Sequence, residues 1–295
     1  MSASVCLLNY NSYLDTIECL NNLLCQTMND YSIIIVDNCS TNDSLNQISS
    51  YLSTKNIAFS FHSYENSVLT NTKSINSPTK VFLIACLQNN GFSAGNNVAI
   101  GFSNNYLKND RILLLNNDTV IESDFLETLS NEYNRLQKKH NKPIALGCPE
   151  YNYFTRHKSH NGFHYLNLPS ALSFANPIPP YYKYICGACL MVDNKAPMLN
   201  EDYFLYFDDI DYSKKLTRLG YKLASTIKTH YFHKISASMP DYAFKAENQF
   251  ISTWKFYKEH HPKYISIVLA FRYLQYRLSN KSHIAKMVFS TFKSK

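Results

Sequence analysis

Apolar residues along this chain recur in short, nearly unbroken runs separated by polar turns. Ser4–Leu8, Ser32–Val36, Val81–Leu87 and Ile112–Leu115 are of this kind, and Ile33 to Val36 are β-branched throughout. Such runs predict strands buried on both faces, as in a parallel sheet. Between them the period lengthens: Leu14, Ile17, Leu20 and Leu24 mark a helix over Leu14–Leu24, and Leu45–Leu52 and Asp124–Lys139 predict two more. Strand, polar turn and helix in alternation is the order of an α/β fold, whose ligands gather beyond the carboxyl ends of the strands. Asn56–Phe61, Ala145–Pro149, Ile185–Val192 and Tyr221–Tyr231 read as further strands. His62–Lys80 reads as a long polar surface loop, Val98–Phe102 as a helix, and Tyr151–Tyr184 as an irregular aromatic stretch.

The densest chemistry lies in Tyr203–Tyr221, where the aromatic run Tyr203 to Phe207 meets Asp208, Asp209 and Asp211. Ile210, Ser213, Leu216 and Leu219 follow at helical spacing, and Gly220 stands where a left-handed residue would end the helix. The acids read either as the capping charges of an ordinary helix or as a general base under an aromatic shelf, its pKa raised by burial.

Several strands end on polar residues. Asn9-Tyr10-Asn11-Ser12 follows the first, and Asp37 to Ser44 the second. Gly91 and Gly95, two of only seven glycines, sit in Asn89–Asn97, but with neither the Walker nor the dinucleotide spacing. Ile112–Leu115 runs into Asn116-Asn117-Asp118-Thr119, and Asp118 reads equally as a solvated turn residue or as a ligand for Mg²⁺ or Mn²⁺. His230 and His233 follow the acids closely. Cys186-Gly-Ala-Cys189 is a lone pair beside Leu190-Met191-Val192, which reads as buried thiols more than as a zinc or redox motif.

Composition changes the picture at one end. Hydrophobic residues make up 45% and charged residues 17%, as in a folded protein. The +7 net charge is uneven: residues 251–295 carry nine Lys/Arg against Glu259, while the rest is close to neutral. Ile251–His260 and Tyr264–Leu278 predict helices parted by Pro262. On the second, Ile265, Val268, Leu269, Tyr273 and Tyr276 share a face, with Arg272 and Arg277 placed to snorkel beside it. That tail reads as a tether to an anionic membrane surface, as a packing element, or as a homodimer contact. The basic residues sit in this tail and not among the Gly-rich loop or the aromatic clusters, which argues against nucleic acid. With no basic leader before Ser4–Leu8 and no apolar run of spanning length, the expectation is a cytoplasmic protein, peripheral at most.

In this order the pieces resemble the inverting family 2 nucleotide-sugar glycosyltransferases of the GT-A fold, in particular the bacterial rhamnosyltransferase-like branch that builds O-antigen and other surface polysaccharides. The matching residues are Asn9-Tyr10-Asn11; Ile35-Val36-Asp37-Asn38 with Ser40; Asn89, Gly91, Phe92, Gly95 and Asn97; Leu114 to Thr119; Gly187-Ala188 with Leu190; Phe204 to Asp209 with Asp211; and His233 with Ala237-Ser238.

The resemblance implies a GT-A domain over 1–240, its nucleotide-binding half 1–120 and acceptor-binding half 121–240, with a basic helical tail over 241–295. It implies a mostly parallel, Rossmann-like sheet flanked by helices. By the same likeness Asn9, Tyr10, Asp37, Asn38, Gly91, Gly95, Asn97, Asn116 and Asn117 would surround a nucleoside-diphosphate sugar. Asp118 and His233 would hold a divalent cation, Asp118 as the last acid of a D-x-D motif whose first position is Asn116 here. Asp209 would be the general base, paired with Asp208 where the family has Glu. The implied reaction moves rhamnose or another hexose to a glycan or polyprenyl-linked acceptor in lipopolysaccharide or capsule synthesis. The alternative is a catalytically degenerate GT-A domain serving as a nucleotide- or glycan-binding scaffold.

Overall fold

The computed structural model describes residues 2–74, 80–234 and 242–278. The first half of the chain runs β1 (Ala3–Asn9), α1 (Tyr13–Leu24), β2 (Tyr31–Asp37), α2 (Ser44–Thr54), β3 (Phe59–Glu65), β4 (Val68–Ser74), β5 (Val81–Cys86), α3 (Gly91–Phe102) and β6 (Arg111–Asn116). Next come β7 (Thr119–Ile121), α4 (Phe125–His140), β8 (Ile144–Gly147), β9 (Glu150–Asn152), β10 (Lys158–His160), β11 (His164–Asn167), β12 (Leu172–Phe174), β13 (Tyr181–Tyr184) and β14 (Cys189–Asp193). The described chain closes with α5 (Asp208–Arg218), β15 (Lys222–Ser225), β16 (Tyr231–His233), α6 (Tyr242–His260) and α7 (Ile265–Leu278).

Nine strands form the main sheet, in the order β15-β8-β14-β6-β1-β2-β5-β3-β4. β14 runs against both its neighbours and β4 against β3, while the other pairs are parallel. The apolar runs become the central strands because each has two faces to bury. Val5, Leu7, Ile33, Ile35, Leu113 and Leu115 pack under α1, α2 and α4. Their neighbours Cys6, Ile34, Val36, Ile112 and Leu114 pack under α3 and α5. The register sets Asn9 opposite Asp37 and Leu8 opposite Asn116, so these strand ends open on one edge. This is the expected α/β, mostly parallel sheet.

The departures have a common cause, which is short or one-sided burial. Residues 62–74 do not form the expected loop: β3 and β4 make a hairpin turning at Asn66 and Ser67, both with positive φ (48° and 65°). Its outer strand lies at the sheet edge, so no apolar period betrays it. Tyr151–Tyr184 holds the short strands β9 to β13, in two small sheets, β10-β9-β16-β7 and β12-β11-β13. Ile185–Val192 narrows to β14, and Tyr221–Tyr231 divides into β15 and the start of β16, which belong to different sheets.

The C-terminal helices are part of the body. Phe250, Phe256, Tyr257, Ile265, Val268, Leu269 and Tyr276 share a core with Leu166, Tyr184, Tyr203, Phe207 and Ile210. The apolar face of α7 is therefore covered by protein. Arg272 does not snorkel: it is 2% exposed and donates to the Ala171 carbonyl and to Gln275. No helix among the described residues is long and apolar enough to cross a membrane. Ala237-Ser238 and the bases Lys281, Lys286, Lys293 and Lys295 lie outside the described residues.

Candidate functional site

A cavity of about 260 Å³ opens at the strand-end edge, lined by Tyr10, Asn38, Gly91, Asn116, Asn117, Asp118, Phe204, Tyr206, His233 and Lys245 among others. Chain regions far apart in sequence meet here, and local hydrogen bonding explains how. Asn9 is fully buried and donates to Asp37 and to the Ser40 hydroxyl, while the Thr16 hydroxyl donates to the Asn9 side-chain amide oxygen and accepts from Asn117. Asp37, 3% exposed, also accepts from the Ser40 backbone and hydroxyl. Asn9 and Asp37 thus lock three strand ends together and do not line this cavity. Asn38 donates to Asn89 and to the Gly91 carbonyl, fixing the entrance to α3.

Gly91 and Gly95 both lie in α3, which begins at Gly91 itself. Gly91 has φ +92°, and a Cβ there would stand 2.4 Å from the Phe204 carbonyl oxygen, whose partner is the Phe92 N–H at 2.8 Å. Glycine is what lets α3 approach the aromatic run. Gly91→Ala is expected to cost about 2 kcal/mol or more of stability, read from the urea midpoint. An unchanged midpoint would contradict this close approach. Gly95 packs on Leu8, and Asn97, 8% exposed, brackets the Leu199 backbone through both its amide atoms and donates to Glu201. Neither belongs to the 260 Å³ cavity.

On one wall, Asp118 follows β6 and His233 ends β16. Their meeting follows from the pairing of β16 with β7, which sets His233 opposite Thr119. His233 Nε2 lies 3.0 Å from Asp118 Oδ1 and 3.5 Å from the Asn116 amide nitrogen, and Nδ1 lies 2.9 Å from Glu150 Oε2. Burial disfavours charge on His233, but the hydrogen bonds to Asp118 and Glu150 outweigh it and raise its pKa to about 9. Burial likewise pushes Glu150 up, yet its bonds to His160 and His233 hold it well below the usual carboxylate range. A protonated imidazole between two carboxylates occupies a place suited to a cation. Oxygen and imidazole donors of this kind suit Mn²⁺ or Mg²⁺ with a diphosphate, and Glu150 is placed to fix the imidazole as carboxylates behind metal ligands do.

The acid pair follows Phe204 to Phe207 in the chain and does not line this cavity. Tyr206 and Phe207 are consecutive left-handed residues (φ 67° and 64°), a strained path for bulky side chains that is found mainly where function holds it. It delivers Asp208 and Asp209 to the first turn of α5. Asp209 accepts from the Gly187 N–H at 3.2 Å and from the Ile210 N–H at 2.8 Å. Burial raises the pKa of both acids, and the neighbouring Asp209 charge raises Asp208 further. The third acid, Asp211, is held by His260 of α6 at 2.7 Å, so it serves packing.

The sequence reading missed Glu150 and Lys245. Glu150 stands alone in a stretch without periodicity, and Lys245 was hidden in a helix counted from residue 251. The Cys186/Cys189 pair does not converge: Cys189 faces Cys148 at 3.8 Å, while Cys186 lies with His160 and His164, their ligand atoms within 4.8 Å of one another.

No curated protein matches the sequence. Among solved structures, the chain is similar to GalNAc-T7 with UDP, GalNAc and Mn²⁺ (TM-score 0.61, 12% identity, 88% of this chain and 49% of that one). It is similar to the mannosyltransferase PcManGT of Pyrobaculum calidifontis, in complex with GDP-Man and Mn²⁺ (TM-score 0.56, 14% identity, 99% and 75%). It is also similar to S. aureus TarS 1-349 (TM-score 0.50, 14% identity, 100% and 92%). The chain spans about half the length of GalNAc-T7 and 44% of a longer TarS chain. These likenesses establish a GT-A fold. The model of Glycosyl transferase family 2 matches residues 4–195, most of the main sheet and the Asn116–Asp118 turn, and the chain belongs to that family.

Proposed function

We propose that the chain is an inverting glycosyltransferase that moves a hexose, rhamnose or a relative of it, from a nucleoside-diphosphate donor to a glycan or lipid-linked acceptor in surface-polysaccharide synthesis. The observation that carries this reading is the convergence of Asn116, Asp118 and His233 on one wall of the cavity, whose lining residues Phe204 to Tyr206 lead directly into Asp208 and Asp209 of α5. Mn²⁺ with a nucleotide or nucleotide sugar in GalNAc-T7 and PcManGT supports it.

Asp118 and His233, with Asn116 beside them, would hold a divalent cation, which when bound neutralises charge on the departing diphosphate. Lys245, which lines the same cavity, would add an ammonium to the stabilisation of that charge. Asp209 accepts the proton of the acceptor hydroxyl as its oxygen attacks the anomeric carbon. The bond from that carbon to the diphosphate oxygen breaks, and the electron pair leaves with the diphosphate. A single displacement inverts the centre and needs no covalent enzyme intermediate. Thermal shift across UDP, GDP and dTDP, with Mn²⁺ and with chelator, tests the donor half of this reading. One nucleotide is expected to raise the melting temperature more than the others, and more with Mn²⁺; no response to any of them would oppose the reading.

A further inference from the structure

A second and larger cavity, of about 850 Å³, lies between the β3–β4 hairpin, α3 and the segment reaching Glu201. Asn38 lines it and the donor cavity alike. We propose that this groove is a binding site for a neutral oligosaccharide. Its continuation into the acceptor of the transfer reaction rests on the glycosyltransferase reading above; the binding itself does not.

The lining chemistry argues for the ligand class. Asn66, Gln88, Asn90 and Asn105 present side-chain amides at the surface, and none of the four has a hydrogen-bond partner among the described residues. An amide both donates and accepts, as a sugar hydroxyl does. No Lys or Arg lines the groove among the described residues, and its charged groups are Glu65 and Glu201, a field that repels phosphates and uronic acids. Glu201 is held at 2.8 Å by Asn97, so one acceptor is already positioned. A strongly cationic peptide would find only these two carboxylates, one of them bonded, against the more numerous amides.

The groove also carries an aromatic plate. Tyr106 is 61% exposed, with its ring 5.2 Å from that of Phe102, which rests in turn on His62 and Phe82. A fixed, solvent-facing ring suits the apolar C–H face of a pyranose, and Tyr64 of the hairpin supplies a second ring to the lining. Tyr106 and Asn105 are presented by a single π-helical turn, Ser103–Leu107, closed by Lys108 at φ 54°. Such turns are rare and often stand at functional sites.

The test uses the full chain on an array bearing maltohexaose, cellohexaose, mannohexaose and chitohexaose, with oligogalacturonate and an oligolysine peptide as the charged arms. Parent protein is compared with Tyr106→Ala and with the double variant Asn90→Ala/Asn105→Ala, all exposed positions whose folding the melting curve checks. The proposal expects at least one neutral oligosaccharide bound, at least tenfold more weakly by each variant, with the nucleotide-induced thermal shift unchanged. It is overturned if no neutral oligosaccharide binds, if the variants bind as well as the parent, or if the charged ligands are preferred. A parent that binds oligosaccharide and ignores every nucleotide would instead sink the transferase reading and leave the groove standing.

Discussion

Replacing Asp209 by Asn is expected to lower sugar transfer by roughly 10²–10⁴-fold while nucleotide binding stays near the parental level. The amide has the shape of the carboxylate and can still face the Gly187 N–H, but it accepts no proton from the acceptor hydroxyl. Asp208→Asn should cost less, since Asp208 is the more buried of the pair. The same change carries a stability signature. Burial raises the folded-state pKa of Asp209, so the folded protein holds its proton to higher pH than the unfolded chain does. Stability from this group is then present below the ordinary aspartate pKa and lost as pH rises through the raised one. Asp209→Asn should accordingly melt higher than the parent at neutral pH, and the parental rate should fall as pH drops through a range above that of ordinary carboxylates. A variant that transfers sugar at close to the parental rate would remove Asp209 from the mechanism.

The second large effect concerns the cation. Calorimetric titration with the preferred nucleoside diphosphate should give at least tenfold tighter binding with Mn²⁺ than with chelator, and Asp118→Asn should abolish the difference. Lys245→Ala should weaken binding by roughly ten- to a hundredfold in both conditions, because a hydrogen bond to a charged group contributes about 1.5–3 kcal/mol regardless of the metal. Equal parental affinity with and without Mn²⁺ would mean that Asn116, Asp118 and His233 recognise the nucleotide by hydrogen bonds alone.

How much was legible follows burial. β1, β2, β5 and β6 could be read because both faces are apolar, and α5 because its acids, its spacing and Gly220 agree. Gly220 does take the left-handed conformation, at φ +89°. The hairpin's outer strand and the short strands β9 to β13 could not: β4 has only Val68 and Leu69 as apolar residues, and three or four residues are too few to show an alternation. Asp118 and His233 were nameable singly, but their 3.0 Å approach depends on β16 lying against β7, a long-range pairing with no local signal. Asn9, Asp37 and Asn97 were nameable as polar residues at strand and helix ends, while the hydrogen bonds by which they also hold the site together have no local signal. The sequence leaves the tail open for a related reason: the apolar stripe on α7 is legible, but the residues that pack on it, from Leu166 to Ile210 and from α6, are brought there by long-range contacts with no local signal.

The central claim is that this cavity transfers sugar from a nucleoside-diphosphate donor, and release of the diphosphate tests it most directly. The chain, with Mn²⁺, would be given UDP-, GDP- and dTDP-hexoses together with an acceptor extract, and free diphosphate measured over time beside the Asp209→Asn protein. The account predicts acceptor-dependent release from one donor class, abolished by chelator and by Asp209→Asn. Binding of that nucleotide with no release from any donor, or release equal in the Asp209→Asn protein, would contradict it.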